Sequence, residues 1–187
     1  MLMKTRTFFM AMMLLIPLLA TGQEIKFMGL SFGTNVDVFC KALKAKGLKQ
    51  TVDRFETKEF VGTFATYNDC RIIIKATEVS KKVRSAEVIF ESVRDDEYER
   101  DKAFSEILKQ YESKYGSKLK KEPYDKTTND ILGLTTYYIE SGDIKINLNK
   151  TGPSVLSPDE CSMSIYYYSK SLVNLKESNT KKHSSDI

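Results

Sequence analysis

The sequence predicts an α+β fold: two successive α-β-β-β halves that build one six-stranded antiparallel sheet, with two helices on one face. Two observations carry this reading. Of six short strand segments, four alternate apolar and polar residues with a period of two, the mark of half-buried antiparallel strands, and Phe60 to Tyr67 is rich in aromatic and β-branched residues. Two other segments carry apolar residues at i, i+3, i+4 and i+7, the mark of amphipathic helices. The order helix–strand–strand–strand occurs twice, a repeat of element order and hardly of residues. Strand runs joined by short turns, with few helices, place those helices together against one face of the sheet.

The first helix is expected over residues 34–48. Thr34 is its candidate N-cap, with Asp37 three residues on. Val36, Phe39, Cys40 and Leu43 form one stripe, Gly47 stops the helix, and Leu48 folds back on the last turn. Three strands follow. The first is Phe60 to Tyr67, with a turn at Asn68-Asp69. The second sets Cys70, Ile72, Ile74 and Ala76 against Arg71, Ile73 and Lys75; the third sets Ala86, Val88 and Phe90 against Ser85, Glu87, Ile89 and Glu91. The second helix spans Asp96 to Tyr115, with a buried stripe of Phe104, Ile107, Leu108, Tyr111 and Tyr115, and ends at Gly116. A charged connection over 117–130 leads to three more strands. These are Leu134 to Glu140, a run alternating Ile144, Ile146 and Leu148, and a last run of Cys161, Met163, Ile165 and Tyr167 after a loop from Thr151 to Glu160.

The N-terminus reads as an address. Lys4 and Arg6 precede an apolar run from Phe8 to Leu19, and Ala20-Thr21-Gly22 offers small residues for cleavage before Gln23. This is the pattern of a secretory signal peptide over residues 1–22. The run is shorter than the roughly 20 apolar residues a bilayer span needs, and no Cys follows it to take a lipid anchor. The expected product is a soluble periplasmic or secreted protein with no membrane span after cleavage. Its single α+β domain covers residues 23–175, in halves of about 29–94 and 95–170, and a flexible polar tail covers 176–187. Of the whole chain's formal charge of +4, Lys4 and Arg6 belong to the signal. The remaining balance gives no reason to expect a nucleic-acid partner.

Candidate chemistry is sparse. His183 is the only histidine and sits in the polar tail, so a His-based triad or a histidine metal site is not expected, and no cofactor or metal site is read. Asp95, Asp96, Glu97, Glu99 and Asp101 crowd the start of the second helix, where carboxylates favour the positive dipole end. They lack the alternate spacing and central glycine of a calcium loop. Of three cysteines, Cys70 and Cys161 each open a strand as its first inward residue, so a Cys70–Cys161 disulfide is expected, with Cys40 free and buried. A loop that long would contribute up to roughly 4–5 kcal/mol.

Period-two alternation turns Tyr166 and Tyr168 away from Ile165 and Tyr167. With both helices on the inward face, these two tyrosines share the opposite face with Arg71, Ile73 and Lys145. Tyrosine with arginine and a few apolar groups is the composition of a recognition surface. The expectation is a monomeric binding module for a protein or glycan ligand. The alternatives are a small secreted hydrolase whose carboxylates meet only in the fold, and a structural accessory of an envelope complex.

Four motifs also carry a likeness. They are Phe27-Met28-Gly29-Leu30 ahead of Phe39-x-x-x-Leu43-x-x-x-Gly47; Phe60-x-Gly62-Thr63-Phe64-Ala65-x-Tyr67-x-Asp69-Cys70; Lys114-Tyr115-Gly116; and Cys161-x-Met163-x-Ile165-x-Tyr167. In this order, over most of the chain beyond the signal, they resemble an uncharacterised family of small exported proteins common in gut Bacteroidetes. Tyr168-Ser169 departs from the acidic residue expected there. The resemblance implies export and no catalytic residue. The layout is also similar to the tandem helix–sheet modules of β-lactamase-inhibitor-type proteins and of small outer-membrane assembly lipoproteins, an analogy of fold alone.

Overall fold

A computed structural model describes residues 24–154 and 161–175. The segment expected to be a signal peptide, most of the loop before Cys161, the expected polar tail and His183 lie outside the described residues. The fold is α+β, built on one antiparallel sheet. Helix α1 (Val36–Ala45) precedes strands β1 (Lys49–Asp53), β2 (Thr57–Phe64), β3 (Tyr67–Ala76) and β4 (Val83–Phe90). Helix α2 (Glu97–Tyr115) precedes β5 (Leu119–Lys121), β6 (Leu134–Ser141), β7 (Ile144–Thr151) and β8 (Ser162–Ser169). The sheet order is β1-β2-β3-β4-β8-β7-β6-β5. Each half is a meander, and the last strands of the two halves pair antiparallel at the centre, with Val88 opposite Ile165.

Eight strands, rather than the expected six, make each half α-β-β-β-β. The two additional strands, β1 and β5, are the sheet's edges. Their sequences, Lys-Gln-Thr-Val-Asp and Leu-Lys-Lys, have no buried residue. Short, lysine-bearing edge strands resist pairing with other chains, and the same traits deprive them of an apolar rhythm.

The helix ends follow local chemistry. Asn35, not Thr34, caps α1: its side chain accepts from the Asp37 amide, while the Thr34 hydroxyl donates to the Ser31 carbonyl. Val36, Phe39, Cys40 and Leu43 are all buried as expected. Gly47 stands at φ +89° and the Leu48 amide returns to the Leu43 carbonyl. In α2, Asp96 caps by accepting from the Glu99 amide at 3.0 Å. Its buried stripe is Arg100, Ala103, Phe104 and Ile107, whereas Leu108, Tyr111 and Tyr115 are only partly buried against the core. The β2–β3 hairpin, which joins the first two strands expected from the sequence, turns at Ala65–Thr66, not at Asn68-Asp69. Asn68 lies within β3 and accepts from the Thr63 hydroxyl across the hairpin, and Asp69 adopts φ +55° beside the register shift opposite Gly62–Phe64.

The core sits on the helix-covered face. Ile72, Ile74, Val88, Phe90, Ile146, Leu148, Met163 and Ile165, the residues that alternation places inward, are all buried. The segment before α1 joins them. Phe27 is fully buried and touches the rings of Phe39 (6.3 Å), Phe64 (5.9 Å) and Tyr167 (5.2 Å). Arg100 is also buried. Its guanidinium donates to Asp101 Oδ1 (2.7 and 2.9 Å) and to the Thr151 carbonyl (2.7 Å), tying α2 to the end of β7. Among the described residues no helix is long and apolar enough to cross a membrane.

The expected Cys70–Cys161 disulfide is absent: Cys40, Cys70 and Cys161 are free, buried thiols. The reason is topological. Strand β4 lies between β3 and β8, which sets the two cysteines at least two strand spacings apart, roughly 10 Å. A bridge needs Cα atoms within about 7 Å.

Candidate binding face

The face opposite the helices is a lattice of cross-strand neighbours. One row runs Glu59, Ile73, Glu87, Tyr166, Asn147, Tyr138 across β2, β3, β4, β8, β7 and β6. The next runs Thr57, Lys75, Ser85, Tyr168, Lys145, Glu140. All five residues singled out from the sequence lie on this face and are neither buried nor fully exposed. Their grouping is uneven. Tyr166 and Tyr168 stack with centroids 5.2 Å apart, and Lys145 stands directly opposite Tyr168. Arg71 and Ile73 are on β3, beyond β4, so Glu87 and Ile89 separate them from the tyrosines.

The charges on the face are largely spoken for. Arg71 donates to Glu91 at 2.8 Å and lies 4.0 Å from Glu59. Lys145 is 3.6 Å from Glu122 and 3.8 Å from Glu140, and its ammonium lies 4.5 Å from the Tyr138 ring centroid. Such a cation–π contact orders both partners. The result is a patch of three tyrosine rings, two stacked on each other and the third held by an anchored ammonium. Burial pushes the Tyr168 phenol above its ordinary value, while Lys145 pulls the other way; a raised phenol stays a hydroxyl at neutral pH, able to donate.

Sequence reasoning missed three contributors here. Tyr138 alternates away from the core as Tyr166 does, so its place was readable once β6 and β7 were paired. Ser85 and Asn147 became visible only in the fold. Ser85 Oγ and Asn147 Oδ1 are buried, and neither has a hydrogen-bond partner among the described residues. Ser85 lies between Lys75 and Tyr168, and Asn147 between Tyr166 and Tyr138. A buried polar atom without a partner carries a penalty of about 1–3 kcal/mol, and such atoms in a native fold call for an explanation.

The acidic run at the start of α2 caps and tethers. Asp96 caps, and Asp101 accepts from Arg100 and, at 3.0 Å, from Lys150. Burial opposes ionisation of Asp101, but those hydrogen bonds outweigh it and hold the carboxyl below its usual range. Among the described residues no cluster of three or more histidine, cysteine or acidic side chains could hold a metal ion. Comparison with protein-family models, with curated proteins and with solved structures finds no match to this chain.

Proposed function

We propose that this protein is an exported binding module that recognises a protein or glycan with the open sheet face centred on Tyr166, Tyr168, Tyr138 and Lys145. One observation carries the reading. A stacked tyrosine pair sits beside a lysine-clamped tyrosine on the face opposite α1 and α2, next to two buried polar atoms without partners among the described residues. Rigid tyrosines supply large contact area at low entropic cost, with a hydroxyl for hydrogen bonding. Ser85 and Asn147 would gain partners when a ligand or its bridging water reaches them. Arg71 and Ile73 form the far rim of the same face, across β4.

Export rests on the basic head, the apolar run and Ala20-x-Gly22. N-terminal sequencing of protein taken from its host should give a start at or near Gln23; a chain retaining Phe8–Leu19 refutes it. Binding is tested by comparing wild type with the double variant Tyr166→Ala, Tyr168→Ala on glycan arrays and in envelope-extract capture. Hot-spot aromatics are worth about 2 kcal/mol or more, so the double variant should bind roughly 30-fold more weakly or worse. Its thermal midpoint should stay within a few degrees of wild type, because neither ring is in the core. Undiminished binding by the folded double variant excludes this face.

A further inference from the structure

The helix-covered side carries a second feature, unrelated to the open face. At one end of the sheet a cleft of about 280 Å³ opens between the Met28-Gly29 turn, the β2–β3 hairpin tip and α2. That is near the lower end of small-molecule pockets, roughly 300 Å³. Its walls are aromatic: Phe64, Tyr111, Tyr115 and Tyr167 all line it. Met28 and Ala65, on the two turns that frame it, both hold positive φ, 49° and 54°.

Polarity in the cleft has one sign. Lys26 and Lys114 are among its lining residues, and none of those residues is acidic. Lys26 also meets Glu24 at 3.2 Å, outside the lining. Lys114 lies 5.1 Å from the Tyr115 ring centroid and makes no ion pair among the described residues. Deeper in, the Tyr111 and Tyr167 hydroxyls bond to each other. Two hydroxyls carry two protons, and their mutual bond uses one. Neither hydroxyl has another acceptor among the described residues, so one O–H donor of a nearly buried pair is left for an outside acceptor. Burial raises both phenols above the ordinary value, which keeps both protons in place at neutral pH.

We propose that this cleft binds a small amphiphilic acid: an aromatic or apolar body of one or two rings that packs against Phe64 and Tyr115, carrying a carboxylate or similar anion that accepts from the tyrosine hydroxyl pair and is balanced by Lys114 and Lys26. The shape sets the size, the aromatic walls set the body, and the spare donor with two ammonium groups sets the sign of the headgroup.

The probe is 2-naphthoate, with neutral 2-naphthalenemethanol and cationic 2-naphthylmethylammonium as comparators. Each is titrated into the purified protein and followed by NMR shifts of the Met28 and Ile107 methyls, which line the cleft. The expected result is saturable one-to-one binding of 2-naphthoate, at least about tenfold tighter than the alcohol, with the ammonium weakest. Lys26→Met with Lys114→Met changes only surface groups; it should abolish the preference for the acid and leave alcohol binding intact. Removing both hydroxyls (Tyr111→Phe with Tyr167→Phe) should weaken the acid more than the alcohol. Any of four results overturns the proposal: no saturable shift at millimolar naphthoate, equal affinity for acid and alcohol, a preference that survives the double lysine variant, or contacts from residues 1–23 of the chain filling the cleft. Because the open face is not involved, Tyr166→Ala with Tyr168→Ala should leave naphthoate binding unchanged.

Discussion

The two faces of the sheet come from the same strands, yet they are made of different interactions. On the covered face, Ile72, Val88 and Ile165 stand side by side across β3, β4 and β8 and are fully buried. One residue along, Ile73, Glu87 and Tyr166 stand side by side on the open face and are half-exposed. The first row is held by area removed from water, at about 25 cal/mol per Å². The second is held by stacking and cation–π contacts between neighbours, each worth roughly 0.2–1 kcal/mol. Stability should therefore concentrate on one face, leaving the other free to tolerate substitution and, on the function proposed above, to carry recognition.

The sharpest test of that contrast is Phe27→Ala. Phe27 belongs to no strand or helix, but it joins α1, β2 and β8 through three ring contacts. A buried Phe→Ala change costs about 3–5 kcal/mol, and denaturant unfolding should register it. A loss near 1 kcal/mol would mean that the segment before α1 is an appendage and the covered face is closed by the helices alone.

Arg100→Met should rank next, near 2 kcal/mol, because it strands the Thr151 carbonyl and unties α2 from β7. Asp101 is only half-buried and can recover water, which keeps the loss below that of a sealed ion pair. The comparator is Arg71→Met on the open face, where exposed partners predict under about 1 kcal/mol. If the two variants lose equally, burial does not separate the faces.

Acid should loosen the covered side next. Asp101 is held below the ordinary carboxyl value of 3.8. Asp143 is as well: burial opposes its ionisation, and donors from Ser169 and Ser171 prevail. A carboxyl depressed in the folded state contributes in full above its unfolded value and loses that contribution as pH falls through the folded one. Thermal midpoints should thus hold down to about pH 4 and fall below it. Asp101→Asn should flatten the fall; an unchanged pH profile in that variant would assign acid sensitivity elsewhere.

The smallest expected effect is that of a reductant. All three thiols are buried and unbridged, and burial pushes Cys40 and Cys70 up to about 11. Reductant should not move the melting temperature, and thiol reagents should react only on unfolding, then with all three cysteines. A midpoint lowered by reductant would restore a bridge and require β3 and β8 to sit closer than the sheet order allows.

Much of this was legible in the sequence. Alternation from Cys70 to Ala76 and from Ser85 to Phe90 reports which side of a strand meets the core, because successive side chains point to opposite faces. The α1 stripe and the stops at Gly47 and Gly116 are equally local, set by a 3.6-residue period and by φ values that glycine adopts freely. The placement of Tyr166 and Tyr168 opposite Ile165 and Tyr167 followed from the same two-residue rhythm, and so did the membership of Arg71, Ile73 and Lys145 in the open face.

What only the tertiary structure decided depends on which strands become neighbours. β1 and β5 exist because β2 and β6 offer them backbone partners, and no apolar rhythm of their own announces them. The central pairing of β4 with β8 keeps Cys70 from Cys161, separates Arg71 from the tyrosines, and sets Ser85 opposite Tyr168. Arg100 reads as one more solvated helix charge until the end of β7 folds over it, and Phe27 reads as loop until three rings surround it. Local periodicity is written residue by residue. Strand order, and with it every contact between distant segments, is chosen by the packing of the whole sheet.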